Sequence, residues 1–332
     1  MNNKISIICE IASAHEGSIV ALKKMLDKAE DAGADWVKVQ VFQYKELVAK
    51  DNNKFNVLRK IELNQNDWLE IIRYAGDLNP KLIVEVFDLP SLHLVSNEPA
   101  VKAYKIPTSD LGDKVFVDSV CQMGKPIFIG VGGATIDEID TIVKQVSIFD
   151  NVELTLMHGI QNFPTQIKDS LLSRIQLLRQ RYGCNVGFAD HIDANESELS
   201  SVLPAMAVAA GATVIEKHIT LNREKKGLDY YSALNPDEFL NFVEFIKEIS
   251  MAIGVNGLAN LTEAEIDYRN NMKKFAVLSS PVRQGEVLNE FKIVYRRTNK
   301  PGITRANIYK FNGRLFSADF LNGVVIDEQS FK

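Results

Sequence analysis

Residues 185–219, NVGFADHIDANESELSSVLPAMAVAAGATVIEKHI, decide the fold. Two short apolar runs of strand type, NVGFA (185–189) and TVIEKHI (213–219), flank an apolar helical stretch, SSVLPAMAVAAG. A histidine stands at the end of each run, His191 and His218. As neighbouring parallel strands, the two runs set both imidazoles at the carboxyl edge of one sheet, where α/β proteins place their ligands and chemistry. Imidazole is a good ligand for a divalent transition metal and a good acid–base group near pH 7. A single histidine more often satisfies a structural need. A pair at equivalent points of successive βα units, beside Asp190 and Glu216-Lys217, reads as a site.

Outward from this stretch, the first 250 or so residues alternate between β-branched runs and longer amphipathic segments. The other predicted strands are KISIICEI, DWVKVQVF, KLIVEVF, VKAYKI, PIFIGV and VELTLMH. Helical stretches such as SIVALKKMLDKAEDAG and QIKDSLLSRIQLLRQRYG lie between them and end at glycine, as a left-handed C-cap prefers. Eight units in about 250 residues fit a (β/α)8 TIM barrel. A doubly wound sheet would carry a GxGxxG turn, and none is present. The functional groups are then expected at or just beyond strand ends: Glu10, His15, Lys38, Gln40, Glu85, Lys105, Thr108, His158, Gln161, Asp190 and Glu216, beside the two histidines.

Composition narrows the function classes. Of 332 residues, 46% are hydrophobic and 24% charged, ordinary globular values. A net charge of −5 argues against a nucleic-acid surface, which would show a basic stripe. Cys9, Cys121 and Cys184 cannot all pair and lack metal spacing, so buried thiols in a reducing cytoplasm are expected. The apolar run of MNNKISIICEIA is too short for a signal peptide, no stretch reaches about 18 apolar residues, and a soluble cytoplasmic protein without membrane partners is expected. After residue 253 the pattern changes. Residues 254–273 are polar and turn-rich and read as a linker, and 274–332 read as a small β-rich domain with little core of its own.

The chain resembles the sialic acid synthase family. CEIASAHEGSIVALKKMLDKAEDAGADWVKVQVF is similar to the family's opening, and KIPTSDLGD, PIFIGVGGATIDEI, LMHGIQNFPT, VGFADHID and GATVIEKHITLNREKKGLDYYSALNPDEF are similar to its successive barrel motifs. VRQGEVLNEFKIVYRR resembles part of its C-terminal antifreeze-like (SAF) domain. Members condense phosphoenolpyruvate with an N-acylated hexose to give nine-carbon sugar acids. The resemblance implies that His191 and His218 hold a divalent metal, Mn2+ or Mg2+, and that Glu10 moves a proton or orients water. It implies donor contacts from Lys38, Gln40, Lys105, Thr108 and Gln161, and acceptor contacts from Asp229. It also implies a homodimer in which Arg297, or Lys300, reaches the partner's barrel with an exchanged C-terminal domain.

Several of the family's donor contacts are not reproduced. Gly130-Val131-Gly132-Gly133 replaces a turn with hydroxyls after the fifth strand, Ala189 replaces a serine, and Gln161 and Phe163 replace an asparagine and a tyrosine. Glu85 stands where a threonine is usual, and an unpaired carboxylate beside a phosphate is costly. Three readings therefore stay open: a phosphoenolpyruvate-dependent synthase, a metal-dependent aldolase or lyase with an unphosphorylated donor, and a non-catalytic sugar-binding homologue.

Overall fold

The structure, a computed structural model, describes residues 5–162, 164–196, 198–254 and 260–332. Its contacts divide the chain into two compact units, Met1–Gly254 and Val255–Lys332. The first unit is built on parallel strands β1 (Ser6–Glu10), β2 (Trp36–Val41), β3 (Lys81–Val86), β4 (Val101–Ile106), β5 (Ile127–Gly130), β6 (Leu154–His158), β7 (Asn185–Asp190) and β8 (Val214–Ile219). They pair in sequence order, and β8 pairs with β1, which closes the (β/α)8 TIM barrel. A two-residue strand, β9 (Ala233–Leu234), extends β8 beyond the closure.

Local chemistry starts the helices where the sequence signals them. Ser18, Asn64, Asp88 and Asp113 each accept a hydrogen bond from the backbone N–H three residues on, opening helices Ile19–Asp31, Gln65–Gly76, Leu89–Val95 and Lys114–Cys121. Thr135 and Glu138 form a reciprocal capping box at helix Ile136–Val146. The buried faces of these helices pack on outward-facing strand residues such as Ile7, Cys9, Val37, Val39, Val84 and Ile129.

The alternation of the strands produces two contrasting layers inside the barrel. Ile8, Ile83, Ala103, Phe128, Met157, Ala189 and Val214 form an apolar floor with Trp36 packed against it. Two residues further along the strands, the same inward face carries Glu10, Lys38, Glu85, Lys105 and Glu216, all at most 2% exposed. The site is the upper layer of a filled barrel.

In the second unit, β10 (Lys274–Leu278) pairs antiparallel with β11 (Ile293–Arg297), and single bridges such as Val277–Val325 and Phe316–Phe331 add further short pairings. Ala276, Leu278, Val282, Ile303, Phe316, Ile326 and Phe331 belong to a core of its own. The segment read as a linker differs from that reading. Glu263–Met272 is helical, started by a Thr262–Glu265 capping box, while residues 255–259 lie outside the described residues. Among the described residues, no helix is long and apolar enough to cross a membrane.

Candidate active site

Strand register sets the positions of the polar groups at the carboxyl end of the barrel. Glu10 on β1 pairs with Lys38 on β2 and with His218 on β8. Gln40 pairs with Glu85 on β3, which pairs with Lys105 on β4. His191 directly follows β7. Its ring centroid lies 5.2 Å from that of His218, with the planes tilted by 54°.

Five charges interlock below the histidines. Lys38 Nζ donates to Glu85 Oε2 at 2.7 Å and to Glu216 Oε1 at 3.0 Å, and it is also ion-paired with Glu10. Lys105 Nζ donates to Glu216 at 2.8 and 3.1 Å and stands 3.8 Å from Glu85 Oε1. Gln40 Nε2 adds a hydrogen bond to Glu85 Oε2 at 3.1 Å, and Glu10 Oε1 accepts from the Ala12 N–H at 2.6 Å. Burial alone would push the Glu216 and Glu85 carboxyls up, but the two ammoniums outweigh it and hold both below the usual range. Burial likewise works to lower Lys105, and Glu216 and Glu85 overcome it to hold the ammonium above its ordinary value. Lys38 runs the other way, lowered by burial against the pull of Glu216 and Glu85. Three carboxyl groups and two lysines thus share one buried layer.

The histidines are neutral by the same physics. Burial pushes His191 down to about 4 against the opposing pull of Glu216 and Asp190. Burial and the neighbouring His191 hold His218 well below its ordinary value. Neutral imidazole is the coordinating form, and two such rings on adjacent strand ends suit a shared cation with open positions. Among the described residues, no group of three His, Cys, Asp or Glu side chains gathers as a metal site.

A cavity of about 290 Å³ opens over this layer. Its polar lining includes Glu10, Lys38, Lys54, His191, Glu216 and His218, with Ser13, Gln40, Gln161 and Asp229 around them, and Phe42, Leu47, Val48, Leu58 and Phe87 form its apolar wall. Asp229, at φ 59°, accepts from the Ser13 N–H at 3.0 Å, which ties the loops after β1 and β8 together, and burial raises its carboxyl. Another hollow, about 540 Å³, lies at the amino ends of the strands, the opposite end of the barrel from the histidines.

Not every residue read at the rim joins this cavity. Lys105 and Glu85 are buried beneath it in the charge cluster, and Glu85 is paired rather than isolated. Thr108 begins a short 3-10 turn, Thr108–Asp110, packed on Gly130. His15 turns its Nδ1 to accept from the Gly17 N–H at 3.0 Å, and His158 Nε2 bonds the Ser170 carbonyl at 2.8 Å. Asp190 pairs with Lys217 at 2.6 Å; the pleat sets both on the strand face opposite to His191 and His218. Arg297 ends β11, exposed, with Lys300 in the turn beyond it; both belong to the second unit. Phe163 lies outside the described residues. Sequence reasoning gave Glu216 no role of its own, yet it bonds both lysines. Its spacing of two from His218 on one strand was the available signal.

Fold and site together define a (β/α)8-barrel protein with an enzyme-type polar centre at the carboxyl ends of its strands. The chain belongs to the NeuB family, which it matches over residues 25–257. It is 27% identical to the N,N'-diacetyllegionaminic acid synthase of Campylobacter jejuni, covering 98% of this chain and 99% of that protein. It is 25% identical to a Campylobacter jejuni pseudaminic acid synthase, over 100% of this chain and 98% of the relative. A solved sialic acid synthetase from Leptospira borgpetersenii, in complex with citrate, superimposes with a TM-score of 0.74 at 26% identity, covering 82% of this chain and 93% of that one. At these identities the chain is a divergent member of its family.

Proposed function

We propose that this protein condenses the three-carbon enol pyruvyl unit of phosphoenolpyruvate with an open-chain N-acylated aldose to form a nonulosonate-type sugar acid. The observation that carries the reading is the convergence of two neutral histidines, Glu10, Glu216 and Lys38 on one 290 Å³ cavity at the barrel's carboxyl end. His191 and His218 would hold a divalent metal, Mn2+ or Mg2+; when bound it supplies a positive charge for the oxygen of the aldehyde under attack. Lys38 and Gln40 present donors to the carboxylate of the three-carbon unit. Glu10, fixed by the Ala12 N–H and by Lys38, carries the proton that the step moves. Gln161 faces the cavity as a further contact to the three-carbon unit, Asp229 accepts hydrogen bonds from sugar hydroxyls, and the wall of Phe42, Leu47, Val48, Leu58 and Phe87 excludes water beside the reacting carbons.

Assembly belongs to the same proposal. We read residues 274–332 as an antifreeze-like (SAF) domain exchanged within a cytoplasmic C2 homodimer, with Arg297 completing the partner's acceptor site. Mixing His191→Ala with Arg297→Ala chains should then restore part of the activity, and no recovery after verified subunit exchange would refute the exchange. The reaction itself is tested by incubating the full chain with Mn2+, a three-carbon donor and a panel of N-acylated hexoses. A product with the summed carbon skeleton is expected by mass, and its absence across the panel would refute the activity. Phosphoenolpyruvate is the donor that the family likeness favours.

A further inference from the structure

We infer that Ser232 is a positioning residue for the histidine pair: its hydroxyl ties the His191 backbone to the strand segment that pairs with His218, and so sets the gap between the two imidazoles. The inference rests on the reading of these histidines as metal ligands and deepens it.

The need for such a tie follows from the strand register. The β7–β8 ladder ends at Asp190 opposite Lys217, whose side chains pair at 2.6 Å. His218 lies inside the sheet, opposite Glu10 on β1 and Ala233 on β9. His191 stands one residue beyond the ladder, where strand pairing no longer fixes its backbone. Two ligands on separate strands serve one ion only if their geometry is held to within about 0.5 Å.

The His191 carbonyl is where that demand is met. It accepts from the Ser232 hydroxyl at 2.6 Å and from the Thr165 N–H at 2.8 Å, so the loops after β8 and β6 both close on it. Asp190 Oδ1 accepts from the Ile192 N–H at 3.2 Å, and the Ala194 N–H donates to the Tyr231 carbonyl at 2.7 Å. Ser232 is fully buried and immediately precedes β9. The Thr220 N–H donates to the Leu234 carbonyl at 2.9 Å, which holds β9 to the end of β8. One hydroxyl thus connects the strand segment beside His218 to the residue that carries the other ring.

The two partners of this carbonyl are not equivalent. Thr165 belongs to the loop after β6, whereas Ser232 moves with the strand that pairs with His218. Removing the Ser232 hydroxyl leaves the carbonyl with the Thr165 N–H, so no buried acceptor is orphaned and the fold should survive. What is lost is the link between the two ring positions. Groups that orient metal ligands from behind typically govern about 10–100-fold of metal affinity. A serine that served packing only would change stability and leave that affinity as it is.

The test titrates the full-length protein with Mn2+ and reads free Mn2+ by electron paramagnetic resonance, with denaturation midpoints measured in parallel. The natural chain is compared with Ser232→Ala, with the double variant His191→Ala/His218→Ala, and with Val95→Ala, a core truncation in the helix after β3. Ser232→Ala should weaken Mn2+ binding about tenfold or more. Val95→Ala should lower the midpoint and leave Mn2+ binding unchanged. Ser232→Ala that binds Mn2+ as tightly as the natural chain overturns the inference, while loss of binding in the double variant keeps the histidine assignment standing. Equal weakening in Val95→Ala also overturns the inference, because the effect would then follow stability. Mn2+ bound undiminished by the double variant refutes the histidine assignment and the inference with it. Should Ser232→Ala fail to fold, Ser232→Cys, which keeps the size but replaces the hydroxyl by a weak donor, is read in the same way.

Discussion

The two sides of the barrel mouth are built in different ways. On the side of β1, β2, β7 and β8, long polar side chains reach into an open cavity, and the loops are joined by specific bonds such as Asp229 to the Ser13 N–H. On the side of β4, β5 and β6, glycines bring the loop backbones into contact, and the polar side chains beneath are occupied by one another. Glu85 on β3 stands at the border, committed to the closed side. A barrel scaffold tolerates this because each strand end contributes to the mouth separately, so one sector can keep its chemistry while another is rewritten.

The largest effect should come from the open side. Replacing His191 and His218 together by Ala should bring metal-dependent condensation below detection while leaving the circular dichroism spectrum unchanged. Stoichiometric, active metal in that double variant would break the assignment of the two histidines.

On the closed side the expected losses are in stability. Lys105→Met leaves Glu216 and Glu85 buried with one ammonium between them, and breaking such a pair costs about 3–5 kcal/mol. Chemical denaturation should show that loss. A change under about 1 kcal/mol would mean that the cluster admits water or protons freely.

His15 gives the open side a pH dependence. Burial against Trp68, in edge contact at 6.1 Å, pushes its imidazole from 6.5 down to about 4. The unfolded chain then binds more protons between those values, so this contribution is complete above about pH 6.5 and is lost as pH falls toward 4. It amounts to about 3 kcal/mol at most. His15→Gln should flatten that part of the stability-versus-pH curve, and an unchanged slope would contradict the assignment.

A smaller loss is expected at Gly132. Its added Cβ would press on the Gly159 carbonyl and the Ile160 Cα, so Gly132→Ala should cost about 1–3 kcal/mol through overpacking. Unaltered stability would mean that these loops separate easily and that the closed side is not closed.

Much of this was legible in the sequence because it follows from period and local chemistry. The strand runs and glycine-ended helices give the barrel, and a histidine at each of two successive strand ends gives the pair at the mouth. What escaped is tertiary. That Glu85 would be neutralised depends on three strands bringing Lys38, Gln40 and Lys105 to one height, and no single segment shows that register. Period two did carry one unused signal: Asp190 and Lys217, neighbours of the histidines, must face the other way, and they pair there. The helix Glu263–Met272 was hidden by its polarity, although its capping box stands in the sequence as Thr262 and Glu265.

The contrast between the two sides can be read in one experiment. Crystals grown with Mn2+ and soaked with phosphoenolpyruvate should show a single anomalous peak between the imidazoles of His191 and His218. Glu85 should remain paired with Lys38. An anomalous peak away from the histidines would contradict the account.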